Sequence, residues 1–202
     1  MRYTLDDVPL VLRVERVSST AEESPLLNDN DREHLADLVA PSRREQWATA
    51  RMILRHELGD EAELRYASSG ALVLSKPCKG AHYLSVSHSN EWVAVMLCGK
   101  RCGVDVESLG RHFSKVASRY ITPEEREQFE ELVGEHFEAL VWSAKEALYK
   151  YGGKEGLDFL QDMIITDIDT SSQTLGAELY GLPTPRVRYQ LLDDHILCYL
   201  YE

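Results

Sequence analysis

The sequence predicts an α+β protein built in two similar halves, each a helical stretch followed by antiparallel strands. Helical periodicity is confined to two blocks, residues 29–58 and 122–150. Each block is followed by short alternating segments split by turn residues, the pattern of hairpins. The 202 residues, 44% hydrophobic and 28% charged, suffice for one large domain or two small ones with real cores.

In chain order, residues 10–17 alternate well enough for a strand. Helical spacing runs from Asp29 to Ala40, and Pro41 breaks it. Ser42 is placed to cap a second helix reaching about Leu58, with Gly59 as its stop. Its apolar positions are Trp47, Met52, Ile53 and Leu58. Residues 62–67 and 71–74 flank Ser68-Ser69-Gly70 and read as a hairpin; 83–87 and 92–98 flank Ser89-Asn90-Glu91 and read as another. Gly99-Lys100-Arg101-Cys102 then turns the chain into 103–107, so the last three strands are expected to form an antiparallel meander.

Thr122-Pro123-Glu124-Glu125 starts a helix: Thr122 caps, Pro123 suits the first position and Glu125 completes a capping box. The helix is expected to break near Gly134 and to resume to about Lys150, burying Phe137, Leu140, Val141, Ala144 and Leu148. Residues 163–169, 175–180, 186–192 and 195–201 read as four more strands. The division falls near Gly99–Cys102, giving halves 1–101 and 102–202.

The formal charge of −12 disfavours nucleic acid as a partner, since phosphate attraction needs a basic surface. Any anionic ligand must be held by a local basic cluster. No apolar run is long enough to span a bilayer, and the N-terminus carries acids where a signal peptide would be basic. A cytoplasmic location is the default expectation. Cys78, Cys98, Cys102 and Cys198 lack the paired spacing of a zinc site and read as free thiols, mostly buried.

Two segments carry the chemistry. In Gly103-Val104-Asp105-Val106-Glu107, a strand would set Asp105 and Glu107 on one face, roughly 6–7 Å apart. Carboxylates this close repel unless a cation lies between them, and hard divalent cations prefer such oxygens. Alone, the pentapeptide reads more readily as a half-exposed strand with two solvated acids, since such alternation is common. In Trp142-Ser143-Ala144-Lys145-Glu146-Ala147-Leu148-Tyr149-Lys150, Glu146 and Lys150 share a helix face, as a site or as an ordinary ion pair. Trp142, four residues before Glu146, stands to wall the same site. Upstream, Ser85-Val86-Ser87-His88-Ser89 offers phosphate donors or merely turn chemistry. Ser42-Arg43-Arg44 through Arg51 places arginines near a helix N-terminus, where anions are favoured. Lys76-Pro77 is a weaker fifth element.

Taken in order, from Pro41-Ser42-Arg43-Arg44-Glu45 through Arg51, Lys76-Pro77, the Ser87-His88 strand and the two acidic segments, the chain resembles a 4′-phosphopantetheinyl transferase of the surfactin-synthetase-activating type. The likeness covers about residues 41–160. It implies two α+β halves related by a pseudo-twofold axis, with coenzyme A in an active-site cleft between them. It implies transfer of phosphopantetheine to a serine hydroxyl of an apo acyl or peptidyl carrier protein, releasing adenosine 3′,5′-bisphosphate. Asp105, Glu107 and Glu146 match the ligands of Mg²⁺, or of Mn²⁺ in its place. Glu146 also matches the residue that takes the serine proton, directly or through water. Lys150 matches the lysine on the pyrophosphate. His88, Arg51 and Arg43 match groups on the coenzyme phosphates, with Ser87 beside His88 and Lys76 in the adenine-side loop. The first half would thus hold the 3′-phosphate and adenine, the second the metal and catalytic motifs.

Two positions depart from the family pattern. Ser75 stands where Gly often precedes the Lys-Pro pair, and Gln46 stands in place of a lysine. Arg111, Lys115 and Arg119 would form a basic stripe if their segment were helical, a docking surface for an acidic carrier or simply a solvated face. A site formed within one chain suggests a monomer. The competing functions are a magnesium-dependent phosphohydrolase and a non-catalytic binding protein that uses the carboxylates structurally.

Overall fold

Each predicted helix forms, and the computed structural model, which describes residues 2–3 and 10–202, shows what fixes its ends. Helix α1 (Asp29–Asp37) is capped by Asn28, whose side chain accepts from the Asp31 amide at 3.0 Å while the Asp31 carboxylate accepts from the Asn28 amide at 3.3 Å. Helix α2 (Pro41–Leu58) begins on Pro41 itself, so Ala40 is the cap and Ser42 lies inside the first turn. The expected Ser42 cap is displaced because proline suits the first helical position, where no amide hydrogen is needed. Gly59, at φ 84°, ends the helix in a conformation that favours glycine.

The chain divides into two compact units, Met1–Arg101 and Cys102–Glu202. In the first, strands β1 (Arg2–Tyr3), β2 (Leu10–Arg16), β5 (Tyr83–His88) and β6 (Trp92–Cys98) form an antiparallel sheet ordered β1-β2-β6-β5. Strands β3 (Leu64–Tyr66) and β4 (Leu72–Leu74) make the separate first hairpin. Ile53, Leu54 and Leu58 of α2 bury against Val93, Val95 and Leu97 of β6.

The expected meander of the last three strands does not form. Both edges of β6 are taken, one by β5 and the other by β2, which pairs from Leu10↔Cys98 to Arg16↔Trp92. The next strand, β7 (Cys102–Ser108), pairs instead with the last, β12 (His195–Tyr201), in register Asp105↔Cys198. Sequence proximity favoured the hairpin, but both edges of β6 are occupied and β7 takes the edge beside β12.

The second unit holds β8 (Met163–Asp169), β9 (Thr174–Leu179), β10 (Leu182–Pro183) and β11 (Val187–Leu191) beside β12 and β7, ordered β10-β9-β11-β12-β7 with β8 also on β9. All pairings are antiparallel, so the fold is α+β as predicted. Helix α3 (Pro123–Val133) carries the predicted Thr122–Glu125 capping box, and α4 (Phe137–Gly152) follows a short turn at Gly134–His136. Leu140, Ala144 and Leu148 of α4 bury in one core with Ile165, Leu175, Ile196 and Leu200.

Two details fix α4 against β7. At Gly103, a Cβ would fall 2.1 Å from the Ala147 carbonyl oxygen and 2.8 Å from the Tyr151 nitrogen, so only glycine permits this approach. Gly103→Ala is expected to cost about 1–3 kcal/mol by overpacking, read as a lower denaturant midpoint; an unchanged midpoint would show that α4 can retreat freely. Deeper in, Lys145 is 0% exposed and Glu125 2%. The Lys145 ammonium donates to Glu125 and to the Phe159 carbonyl at 2.8 and 2.9 Å, and Glu125 also accepts from the Thr122 and Ile165 amides. One buried pair therefore ties together α4, the start of α3, β8 and the loop at Phe159.

The segment after β7 corrects a second expectation. Residues 109–116 are turns and irregular backbone, and only Ala117–Arg119 makes a short 3₁₀ turn. Arg111, Lys115 and Arg119 therefore do not share a helix face as a basic stripe. Arg111 instead turns to Glu107 and to the rings of Phe113 and Trp142. No helix among the described residues is long and apolar enough to cross a membrane.

Candidate active site

Strand alternation places Gly103, Asp105 and Glu107 on the side of β7 that meets α4, while Val104 and Val106, fully buried, face the other way. Both faces of the strand are covered, so the two acids are not a solvated edge. Asp105 is 3% exposed. Its Oδ1 accepts from the Lys150 ammonium at 2.8 Å, and its Oδ2 from the Ser143 hydroxyl at 2.9 Å. Lys150 also donates to the Val104 carbonyl at 3.0 Å. The lysine pairs with the strand carboxylate, not with Glu146 one turn away, so the ordinary helix ion pair is not what forms.

Glu107 is held through one oxygen. Trp142 Nε1 donates to Oε1 at 2.7 Å, and Arg111 Nη1 donates to the same atom at 2.5 Å. The Trp142 ring is wedged edge-on against Tyr120, centroids 5.0 Å apart, and stacks on Phe159 at 5.7 Å. Buried Lys145 holds the Phe159 carbonyl, so the stack under Trp142 has a fixed base.

Glu146 stands half-buried on the same face of α4 as Ser143 and Lys150. Burial first, then repulsion from Asp105 and Glu107, pushes its carboxyl up to about 7, against the pull of Lys150 and Arg111. Glu107 is also raised, by burial and by Asp105, opposed by its bonds to Trp142 and Arg111. Three carboxylates thus feel one another in a partly dry place, with Lys150 and Arg111 as partial compensation.

That donor set suits a hard divalent cation, which would relieve the repulsion that raises Glu107 and Glu146. As the side chains stand, no three His, Cys, Asp or Glu among the described residues close into a metal-holding group. The reason is visible in the bonds above: Lys150 and Ser143 take Asp105, while Arg111 and Trp142 take one oxygen of Glu107. The set fits a cation by its chemistry, and its ligands are partly engaged by the protein's own donors.

In the first unit the structure brings Arg43 and His88 together, Arg43 Nη1 against His88 Nε2. A guanidinium only donates, so in this contact Arg43 is the donor. Gln46, the departure from the family pattern, donates from Nε2 to the Ser89 carbonyl at 3.0 Å and so ties α2 to the turn that follows His88. Ser87 is buried at the end of β5. Arg51 does not join them. It is 6% exposed, pairs with Asp31 at 3.3 Å and lies over the Trp47 ring at 4.6 Å. Lys76 is apart as well, exposed and paired with Glu63 at 2.5 Å.

Sequence reasoning missed Ser143, Arg111 and Phe159 as parts of this constellation. Ser143 was findable, because positions 143, 146 and 150 recur at helical spacing. Lys145 was findable as an interior residue, since it sits one position after Ala144 and three before Leu148 on the buried side. Phe159 and Arg111 lie in irregular segments and carried no such signal.

Comparison with known proteins bears on the same stretch. Residues 101–200 match the family model described as the 4′-phosphopantetheinyl transferase superfamily. The chain is also similar to a curated protein of Synechocystis sp. (strain ATCC 27184 / PCC 6803 / Kazusa), provisionally named a 4′-phosphopantetheinyl transferase. The two are 28% identical over 127 residues, covering 56% of this chain and 52% of the relative. The match thus spans about half the length of that relative.

Proposed function

We propose that the protein transfers the 4′-phosphopantetheine group of coenzyme A to a serine hydroxyl of an apo acyl or peptidyl carrier protein. The observation that carries this reading is the site on β7 and α4. Three carboxylates and two cations converge there, within the residues that match the transferase superfamily model. The surfactin-synthetase-activating type is the subtype that the motif order supports.

Asp105, Glu107 and Glu146 would hold Mg²⁺, or Mn²⁺. When bound, such an ion supplies charge stabilisation for a phosphoryl group under attack. The chain's own groups do the rest. Ser143 and Lys150 fix Asp105 from both sides, so its geometry is set before substrate arrives. The Lys150 ammonium, 25% exposed in its side chain, is the cation for the pyrophosphate. Glu146 receives the acceptor serine proton, directly or through a water. The serine oxygen bonds to the pantetheine-side phosphorus as that phosphorus parts from the bridging oxygen, and adenosine 3′,5′-bisphosphate leaves. Arg43 and His88, paired in the first unit, are the groups assigned to coenzyme phosphates, with Ser87 and Lys76 in supporting positions. Arg51, engaged with Asp31, is assigned to the interior instead.

The test is direct. Incubation with coenzyme A, Mg²⁺ and an apo carrier protein is expected to add one phosphopantetheine group, read by intact mass of the carrier. Omitting the metal, or substituting Asp105→Ala, is expected to abolish the gain. No gain with fatty-acid, polyketide and peptide carriers alike would overturn the proposal, and phosphate release from coenzyme A alone would indicate a hydrolase.

A further inference from the structure

We infer that Arg111 is a built-in counter-cation for Glu107, which an entering divalent cation must displace. The inference rests on the reading of Asp105, Glu107 and Glu146 as cation ligands. Its basis is the unequal pair of donors on one carboxylate oxygen. Trp142 Nε1 and Arg111 Nη1 both donate to Glu107 Oε1, at 2.7 and 2.5 Å.

The two donors are anchored differently. Trp142 is neutral, and its ring is fixed by Tyr120 and Phe159. It sets the direction of the Glu107 carboxylate without competing for its charge. Arg111 brings a full positive charge to the place where a metal would be held. Its side chain is 42% exposed, against 13% for Glu107, so it reaches in from an open position. The guanidinium also lies over two aromatic faces, 4.8 Å from the Trp142 centroid and 5.2 Å from Phe113. Those faces retain the cation when its bond to Glu107 is broken. Displacement is therefore local and cheap: a partly exposed ion pair is weak, and its competition weakens metal binding about fivefold.

The role has a physical rationale. Without Arg111, the three mutually repelling carboxylates would lose one of the two cations that face Glu146. With it, Glu107 stays oriented and compensated until a stronger cation arrives. The arginine is then a positioning residue for the metal-free state and a competitor of the metal, two effects of opposite sign.

Mn²⁺ binding to the full-length, EDTA-stripped protein, followed by electron paramagnetic resonance without coenzyme A, separates them. Arg111→Gln is expected to bind Mn²⁺ about fivefold more tightly than the parent. Arg111→Lys, which keeps the charge, is expected to stay near the parent. Trp142→Phe, which keeps a ring but loses the N–H, is expected to bind less tightly. Equal or weaker binding by Arg111→Gln overturns the counter-cation role and, where the parent binds, leaves the carboxylate reading standing. Tightening by both Arg111→Gln and Trp142→Phe overturns the assignment of opposite roles. No Mn²⁺ binding by the parent overturns the inference and the metal reading together.

Discussion

Glu146→Gln is expected to abolish carrier modification and, in the same preparation, to raise the melting temperature of the metal-free protein at pH 8. The activity loss follows from the roles proposed for the carboxylate: proton acceptance contributes about 10²–10⁴-fold, and a lost metal ligand adds to it. The stability gain follows from its surroundings. Glu146 rises to about 7 in the folded protein from an ordinary value of 4.5. Between those values the folded state holds a proton that the unfolded chain gives up. Stability is therefore greatest below the lower value and falls as pH climbs through 7. A glutamine never ionises and escapes the loss, which for a half-buried group amounts to about 2 kcal/mol. The gap between variant and parent should be several degrees at pH 8, close at pH 4, and shrink when Mg²⁺ stabilises the parent alone. Retained turnover would remove Glu146 from the mechanism. A gap independent of pH would remove the electrostatic account of it.

The second large effect is on folding. Glu125→Gln takes from the Lys145 ammonium, 0% exposed, its ion-pair partner. Burial already pulls Lys145 below its ordinary value, opposed chiefly by Glu125 and to a lesser degree by Asp158. Breaking a buried pair by removing one partner costs about 3–5 kcal/mol. The second unit is expected to lose most of its thermal stability, read by calorimetry as a large fall in its transition. Lys145→Met alone should behave similarly, because the Glu125 carboxylate would remain buried. The double variant should recover much of the loss, since neither charge is then left unpaired. Purely additive losses would show that the pair carries no coupling and that the two residues act through separate contacts.

What was legible in the sequence was local. The capping box at Thr122–Glu125, the stop at Gly59, the buried stripe of α4 and the shared face of Asp105 and Glu107 all follow from short-range periodicity and turn chemistry. What was not legible depended on partners far along the chain. The three-strand meander failed because β2 and β12 competed for edges that a short turn appeared to assign. The basic stripe failed because its segment is irregular backbone, from which Arg111 turns to Glu107 and Trp142. Arg51 has the spacing of a ligand-binding arginine, but Asp31 from the preceding helix draws it inward. Within the motif around Glu146, nothing in residue type separates interior Lys145 from Lys150 beside Asp105; their helical phase does.

The pairing of β7 with β12 sets a schedule on synthesis. Asp105 and Glu107 are translated well before the strand that holds them in register. Until His195–Tyr201 is available, β7 has an open edge and the carboxylates have no fixed address. A chain interrupted between Phe159 and His195 would carry Asp105, Glu107, Ser143, Glu146 and Lys150 but not the strand that pairs with β7.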